Sequence, residues 1–295
     1  MVLLPRRGTP ALDRSRQDWR SRCENAERTR ERLLMLRIIW TYRAFILGSI
    51  RREFQARHRN SILGSLWMVL NPLFQITVYT VIFSEVMRSR LDGAPGRYAF
   101  SIYLCAGVIT WGLFADIVTR TTTVFVDNAA ILKKLNFPRI CLPVIVVGGS
   151  LLNFVIMLAL FLVFLVVTGN FPGWAVLGLI PVVLVQCAFA AGLGIGLGVI
   201  NVFFRDVTQF VSILLQFWFW LTPIVYARSI LPETVQSSLR WNPMAAVMAV
   251  YQDAFLQDRW PQWQALWPTA LMALLLCLLA MRLFRRRVGE MVDEL

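Results

Sequence analysis

Lysine is almost missing from these 295 residues, and histidine occurs once. The two lysines are adjacent, Lys133 and Lys134, and neither follows a GxxxxG, so the chain has no Walker A lysine. Work driven by ATP would require another polypeptide to bind the nucleotide. A single histidine, His58, leaves no HExxH motif, no histidine triad and no histidine-rich metal site. Charge is scarce as well: 16% of residues carry one, against about a quarter in a soluble domain. The five cysteines (Cys23, Cys105, Cys141, Cys187, Cys277) form no CxxC pair, which argues against a metal site or a paired framework. Four of them fall in or beside apolar runs, where a lone Cys acts as a small hydrophobe.

What the chain has in abundance is apolar residues, 57% of the total. Six runs stand out, at about 65–87, 98–119, 142–168, 173–199, 210–226 and 264–284. About 18 or more apolar residues suffice to cross the ~30 Å hydrocarbon core, so the expectation is an all-α integral membrane protein with six transmembrane helices. The first run lies far from the N-terminus with no small-residue cleavage site behind it, so a removable signal peptide is not expected. The net charge of +13 would suggest nucleic acid in a soluble protein, but its distribution points elsewhere. Fifteen basic residues precede the first run; with the even-numbered loops and the tail (Arg282, Arg285, Arg286, Arg287) they put 24 on one side, against 6 in the odd-numbered loops. Basic residues favour cytoplasmic loops, so both termini are expected inside and no nucleic acid is expected as a partner.

Residues 1–31 read as a cytoplasmic arm in which Arg alternates with Asp, Glu, Ser and Gln. Over 32–64, Leu36, Ile39, Trp40, Ile46, Leu47, Ile50 and Phe54 recur at roughly helical spacing, with Arg37, Arg51, Arg52 and Arg59 largely opposite. A spanning helix would have to bury Arg37 and Arg43 at about 2.5–3.5 kcal/mol each. An amphipathic helix lying along the inner leaflet avoids that cost. The six-span domain then occupies 65–285, followed by a cytoplasmic tail, 286–295. Between spans five and six, Leu231-Pro232 and Asn242-Pro243 mark helix starts or breaks. The apolar stretch from Met244 to Phe255 is too short to cross and suggests short re-entrant helices, which are permissible only when packed on protein or lining a cavity.

Span four contains Gly192, Gly194, Gly196 and Gly198. They sit inside an apolar run with no strand before them, so small-xxx-small helix packing is the expectation rather than phosphate binding. Asp116 is the one carboxylate clearly within a span; it stands four residues before Arg120, an i,i+4 pair able to satisfy both. Catalytic residues are therefore not expected: the acids outside the spans are too scattered for a glycosyltransferase site. Inverted repeats or charged midplane helices, which a partner-free transporter would carry, are not evident.

Three stretches together resemble the membrane subunit of ABC-2 type exporters, in the branch that exports O-antigen, teichoic acid or capsule. The first runs from Arg51-Arg-Glu-Phe to Trp67, followed by Leu70-Asn-Pro-Leu73. The second is Asn128 to Pro143, with Ile131-Leu-Lys-Lys134 and Phe137-Pro-Arg139. The third is Asn201-Val-Phe-Phe-Arg-Asp-Val207, running on to Trp220-Leu-Thr-Pro-Ile-Val-Tyr226. The similarity covers about residues 40–285. His58 departs from a frequent Tyr and Gln252 from a frequent Arg.

The resemblance implies a permease of the bacterial inner membrane in which two copies of this chain pair over two cytoplasmic ABC ATPase subunits. ATP and Mg would sit on those partners, and this chain would bind no cofactor. The loop from Asp127 to Arg139 would be the coupling helix, with Asn128 or Asp127 as cap, Ile131 and Leu132 as apolar edge, Lys133 and Lys134 as charge, and Phe137-Pro138 closing it. Arg205 and Asp206 would add a second contact. A positive-inside loop with no partner is the alternative for this segment. The substrate would be a lipid-linked glycan with a pyrophosphate head, received by Arg51, Arg52, Arg57 and Arg59; ordinary attraction to anionic membrane lipid, ~1 kcal/mol per basic side chain, would also account for those charges. Among the aromatics of span five, Trp218 and Tyr226 are expected to face the path together with Trp111, offering sugars a flat apolar surface. Export of a drug or small lipid on the same fold is the rival function, and an ATPase-independent transporter a further one.

Overall fold

The computed structural model describes residues 40–56, 67–86, 98–134, 138–239 and 241–294. Every regular element among them is helical. The arm, the first part of the amphipathic segment and the 57–66 stretch lie outside the described residues. Those that are described fall in two units, 40–48 and Ser49 onward. In the first, the Arg43 guanidinium lies 4.8 Å over the Trp40 ring and donates to the Trp40 carbonyl at 3.2 Å. Helix α1, Arg43–Ala56, starts there.

Among the described residues, four helices are long and apolar enough to cross a bilayer: Ala99–Asp127 (α3), Cys141–Val167 (α5), Trp174–Phe203, whose α-helical part Leu179–Phe203 is α6, and Trp263–Arg287 (α10). Two further expected runs form shorter apolar helices. Helix α2, Trp67–Val86, carries its described apolar stretch over Leu73–Ile82. Helix α7, Val207–Trp220, has 14 residues, or about 21 Å at 1.5 Å per residue. It stops where Thr222-Pro223 follows, because proline disfavours helical backbone in the residue before it and supplies no N–H. Short helices α4 (Ala129–Lys134), α8 (Glu233–Leu239), α9 (Pro243–Gln257) and α11 (Glu290–Glu294) complete the set.

The termini of these elements follow from local chemistry. Helix α5 ends in the Thr168-Gly169-Asn170 turn, where Gly169 takes φ 71°. Asn170 N donates to Leu165 O at 2.9 Å and Gly169 N to Val166 O at 3.1 Å, the paired bonds of a Schellman stop. Helix α9 opens with Asn242 as cap, its side chain accepting from Met244 N, and Pro243 at the first helical position.

Helix α3 is the axis of the assembly. It is buried on nearly all sides, from Phe100 and Leu104 through Phe114 and Ile117 to Phe125, as a helix apolar all round must be. It packs against α2, α5, α6, α7 and α9. Helix α5 shows the opposite face of membrane logic: Val155, Val163, Val166 and Val167 stay exposed, as side chains facing lipid do.

Helix α6 lies between α3 and α10, and its glycines make that possible. A Cβ on Gly192 would stand 2.8 Å from the Cys277 backbone nitrogen of α10. One on Gly198 would stand 2.6 Å from the Thr121 carbonyl oxygen of α3, and one on Gly194 2.9 Å from Thr121 Cβ. Gly192 and Gly196 address α10, while Gly194 and Gly198 address α3, so the two small-xxx-small pairs serve opposite faces. Without a hydrophobic force between helices in lipid, such close backbone approach is what holds them. Gly198→Ala is expected to destabilise the protein by about 1–3 kcal/mol through overpacking. Gly196→Ala, whose Cβ would meet Ala280 at 3.8 Å, is expected to be near neutral. Thermal unfolding of the two purified variants in detergent checks the contrast.

Candidate coupling surface and transport path

At one end of the bundle, α4 hangs between α3 and α5. Of its described side chains, Leu132 is buried and Lys133 exposed. Leu132 enters an apolar cluster with Val124 and Phe125 of α3, Val199 and Val202 of α6, Phe284 of α10 and Met291 of α11. Phe125 and Phe284 stack at 5.5 Å. The side chains of Ile131 and Lys134, and all of Phe137, lie outside the described residues. Pro138 begins the turn into α5, its carbonyl accepting from Cys141 N at 2.9 Å.

Asn128 behaves differently from the expected cap: its Nδ2 donates to Val124 O at 2.8 Å, so its side chain closes α3. Its carbonyl still starts α4, accepting from Leu132 N at 3.0 Å. Arg205 and Asp206 are exposed in the turn joining α6 to α7. Asn201 fixes that turn from inside. Its Nδ2 donates to Thr122 O of α3 at 3.1 Å and its Oδ1 accepts from Thr208 of α7 at 2.9 Å.

The arginines expected to receive an anion are partly placed. Arg51 and Arg52 are exposed on α1, and Arg52 donates to Ser49 Oγ at 2.8 Å. Arg57 and Arg59 lie outside the described residues. Between α1 and the bundle stands an unanticipated ionic contact: Glu53 of α1 pairs with Arg120 of α3. The same guanidinium donates to Ser150 Oγ of α5 at 3.0 Å and lies 3.5 Å from Asp116. The expected Asp116–Arg120 pair is therefore one edge of a larger network. Beside it, Gly148 leaves room for Ile50, whose Cδ1 lies 2.5 Å from where a Cβ would be. The signal was present in the sequence as the charged Arg-Glu-Phe and an arginine at the end of the second apolar run, but their pairing is a matter of tertiary distance.

Trp111 and Trp218 come together, their ring centroids 6.3 Å apart. They meet in an aromatic cluster with Phe114 and Phe189, Phe114 lying 5.3 Å from each tryptophan and stacked on Phe189, with Trp218 edge-to-face on both phenylalanines. Trp111 is buried and Trp218 half-buried. The outward face of α7 carries Phe210, Phe217 and Trp220, exposed at 60%, 66% and 60%. Tyr226 is half-buried in the segment after α7, its hydroxyl donating to Trp220 O at 2.9 Å.

Polar side chains pin that segment. The Tyr103 hydroxyl lies 3.0 Å from the carbonyls of Pro223 and Tyr226, and Gln252 Nε2 donates to Pro223 O at 3.1 Å. Asn242 is the hub. Its Oδ1 accepts from Trp218 Nε1 at 3.0 Å and from Met244 N at 3.1 Å, while its Nδ2 donates to Thr222 Oγ1 at 3.1 Å and reaches Leu221 O at 3.3 Å. One amide thus spends both lone pairs and both N–H bonds joining the end of α7 to the start of α9. Sequence reading found Asn242-Pro243 only as a helix start; nothing local reveals that its oxygen is shared with an indole 24 residues earlier.

A family model described as ABC-2 type transporter matches residues 46–256. The chain belongs to the ABC-2 type transporter family. The match runs from α1 to the end of α9, and so takes in the Glu53–Arg120 contact, the coupling segment and the Asn242 hub. The chain is 34% identical over 263 residues, 88% of its length and 99% of the relative's, to the O-antigen export system permease protein RfbA of Myxococcus xanthus. It is 33% identical to an RfbA of Klebsiella pneumoniae over 70% of this chain and 77% of that one. To the polysialic acid transport protein KpsM of Escherichia coli it is 21% identical over 82% of this chain and 93% of the relative.

For this ABC-2 protein the hub makes a measurable demand. Asn242→Ala removes the α9 cap and orphans the Trp218 N–H, an expected loss of about 1–3 kcal/mol. Asn242→Asp keeps the oxygen acceptors, loses the N–H donors, and is expected to fall between wild type and alanine in a thermal unfolding series.

Proposed function

We propose that this chain is the membrane-spanning permease of an ATP-driven exporter carrying a lipid-linked polysaccharide, of the O-antigen or capsule kind, from the bacterial cytoplasm across the inner membrane. The observation that carries the reading is the 34% identity to an O-antigen export permease along 99% of that relative. Likeness to a polysialic acid transport protein over most of both chains supports polysaccharide over a drug or small lipid.

In this reading the chain crosses the membrane six times, α2 and α7 being the first and fifth crossings, with both ends cytoplasmic. Helix α1 lies along the inner leaflet in contact with membrane lipid, and α8 and α9 dip back from the outer side; burial of α9 against α3, α6 and α10 supports this, since it satisfies its surface on protein. Two copies pair, and the outward Phe210, Phe217 and Trp220 of α7 give each an apolar face for its partner or the path. Two ABC ATPase subunits, carrying ATP and Mg, dock beneath. Lys133 faces them, with Lys134, Arg205 and Asp206 alongside, while Leu132 anchors the coupling helix from within. Ile131 adds to its apolar edge, and Asn128, Phe137 and Pro138 shape its two ends.

The pyrophosphate head would approach along Arg51 and Arg52, with Arg57 and Arg59 nearby; planar guanidinium forks suit phosphate oxygens. Trp218, held by Asn242 and backed by the buried Trp111 and Phe114, would form a stiff wall on the path, with Tyr226 as a further aromatic along it. A wall of this kind gives sugars a face to slide on without fixing their hydroxyls.

Depletion of the protein is the test of function. Polyprenyl-linked glycan is expected to accumulate inside the cell while surface polysaccharide disappears; an unchanged surface and precursor pool would transfer the role to a drug or small-lipid substrate. The coupling surface is tested by Lys133→Glu, which reverses an exposed charge and is expected to weaken ATPase retention about tenfold, ~1.4 kcal/mol, when the complex is purified through a tagged permease.

A further inference from the structure

The segment after the last span, residues 288–295, carries three acids and would be expected to trail in solvent. The structure places it otherwise. The chain turns back at Val288-Gly289, and α11 packs against α4 and α6. Met291 is 2% exposed, less than Leu132 at 6% or Phe284 at 5%, and shares their apolar cluster. A five-residue helix has no stability of its own, so its position comes from what it docks on. Methionine, unbranched and polarisable, suits the irregular space between a short helix and a bundle end.

A second contact acts from the other side. Arg139, in the turn after α4, donates to the carbonyl of Val288, where α10 gives way to α11. Arg287 pairs with Glu290 across the same turn and lies 5.9 Å over the Phe203 ring of α6. The segment is thus tied at its base by a guanidinium from the coupling loop, and at its centre by a side chain sunk beneath the coupling helix. Helix α4, at six residues, is equally unable to hold a position alone. The buried side of α4 rests on the cluster that Met291 completes.

We propose that residues 288–294 form a strut that holds α4 where the ATPase meets it, with Met291 and Arg139 as its positioning residues. This rests on α4 being the coupling helix. Through the strut, a push on α4 reaches Phe284 and α10 as well as Phe125 and α3, so both flanks of α6 receive it. The tail itself makes no contact with nucleotide or glycan; it acts by setting the pose of Leu132 and, on the opposite side, of Lys133.

The test uses full-length permease co-expressed with its ATPase, with permease quantity in the membrane, ATPase retained per permease, and surface polysaccharide as readouts. Met291→Asp puts a charge under α4 and is expected to cut ATPase retention and surface polysaccharide about tenfold, ~1.4 kcal/mol at the contact, while permease quantity holds. Met291→Leu, which refills the space, is expected to restore both. A merely stabilising tail would instead lower permease quantity and leave retention per molecule unchanged, which overturns the proposal. Should Met291→Asp fail to accumulate, Arg139→Gln decides: it frees the tail while leaving the cluster apolar, and wild-type retention by it sinks the strut. Lys133→Glu, run alongside, separates the two readings. Retention lost with Lys133→Glu but kept with Met291→Asp and Arg139→Gln removes the strut alone; retention kept with Lys133→Glu removes the coupling helix, and the strut with it.

Discussion

The close contact of α6 with its two neighbours is the constraint on which the rest depends. Helices in lipid gain nothing by hiding apolar surface from one another, since the acyl chains are as apolar as leucine. They associate where backbones approach closely enough for dispersion to accumulate and where buried polar groups find partners. Four glycines in seven residues supply the first condition on both faces of α6. Gln186 and Asn201 supply the second: Gln186 Nε2 donates to Thr110 O at 2.7 Å while its Oε1 accepts from Tyr251 at 3.1 Å, and Asn201 bridges Thr122 and Thr208. These two amides tie α6 to α3, α7 and α9 at opposite ends of the same helix.

With α3, α6 and α10 locked, the functional features become attachments to a stiff post. Helix α4 is anchored in an apolar cluster drawn from all three. The end of α7 is held by Tyr103 from α3, and by Gln252 and Asn242 from the α9 region. Helix α1 is held by Glu53 on Arg120. Each attachment is a polar bond or small cluster rather than a broad interface. Such contacts break and reform at modest free-energy cost, as a protein that must open for a bulky passenger requires.

Residues that sequence reading singled out divide by what they do in the fold. Leu132 turns inward and Lys133 outward because the apolar cluster takes the leucine and leaves the charge to solvent. Trp111 and Trp218 do meet, but as members of a packed cluster with Phe114 and Phe189, while the open face of α7 belongs to Phe210, Phe217 and Trp220. Helical phase separates those two faces. Which face turns inward depends on where α3 lies, and that is not written in α7. Asn128 shows the same limit at smaller scale: a residue type suited to opening a helix closes the preceding one, since both orientations satisfy it.

Composition and hydropathy by themselves determined that this is a helical membrane protein without nucleotide-binding lysine, and motif order determined its family. Those properties are additive along the chain: each apolar run, each loop charge and each missing residue type contributes without reference to the others. Turn chemistry was legible too, in TGNFPG and Asn-Pro, because it is settled within a few residues. The tertiary structure alone decided that Glu53 meets Arg120, that Asn242 holds the Trp218 indole, and that Met291 shares an apolar cluster with Leu132 of α4. Those pairings join residues far apart along the chain, and only the packing of helices on the glycine faces of α6 brings them within reach.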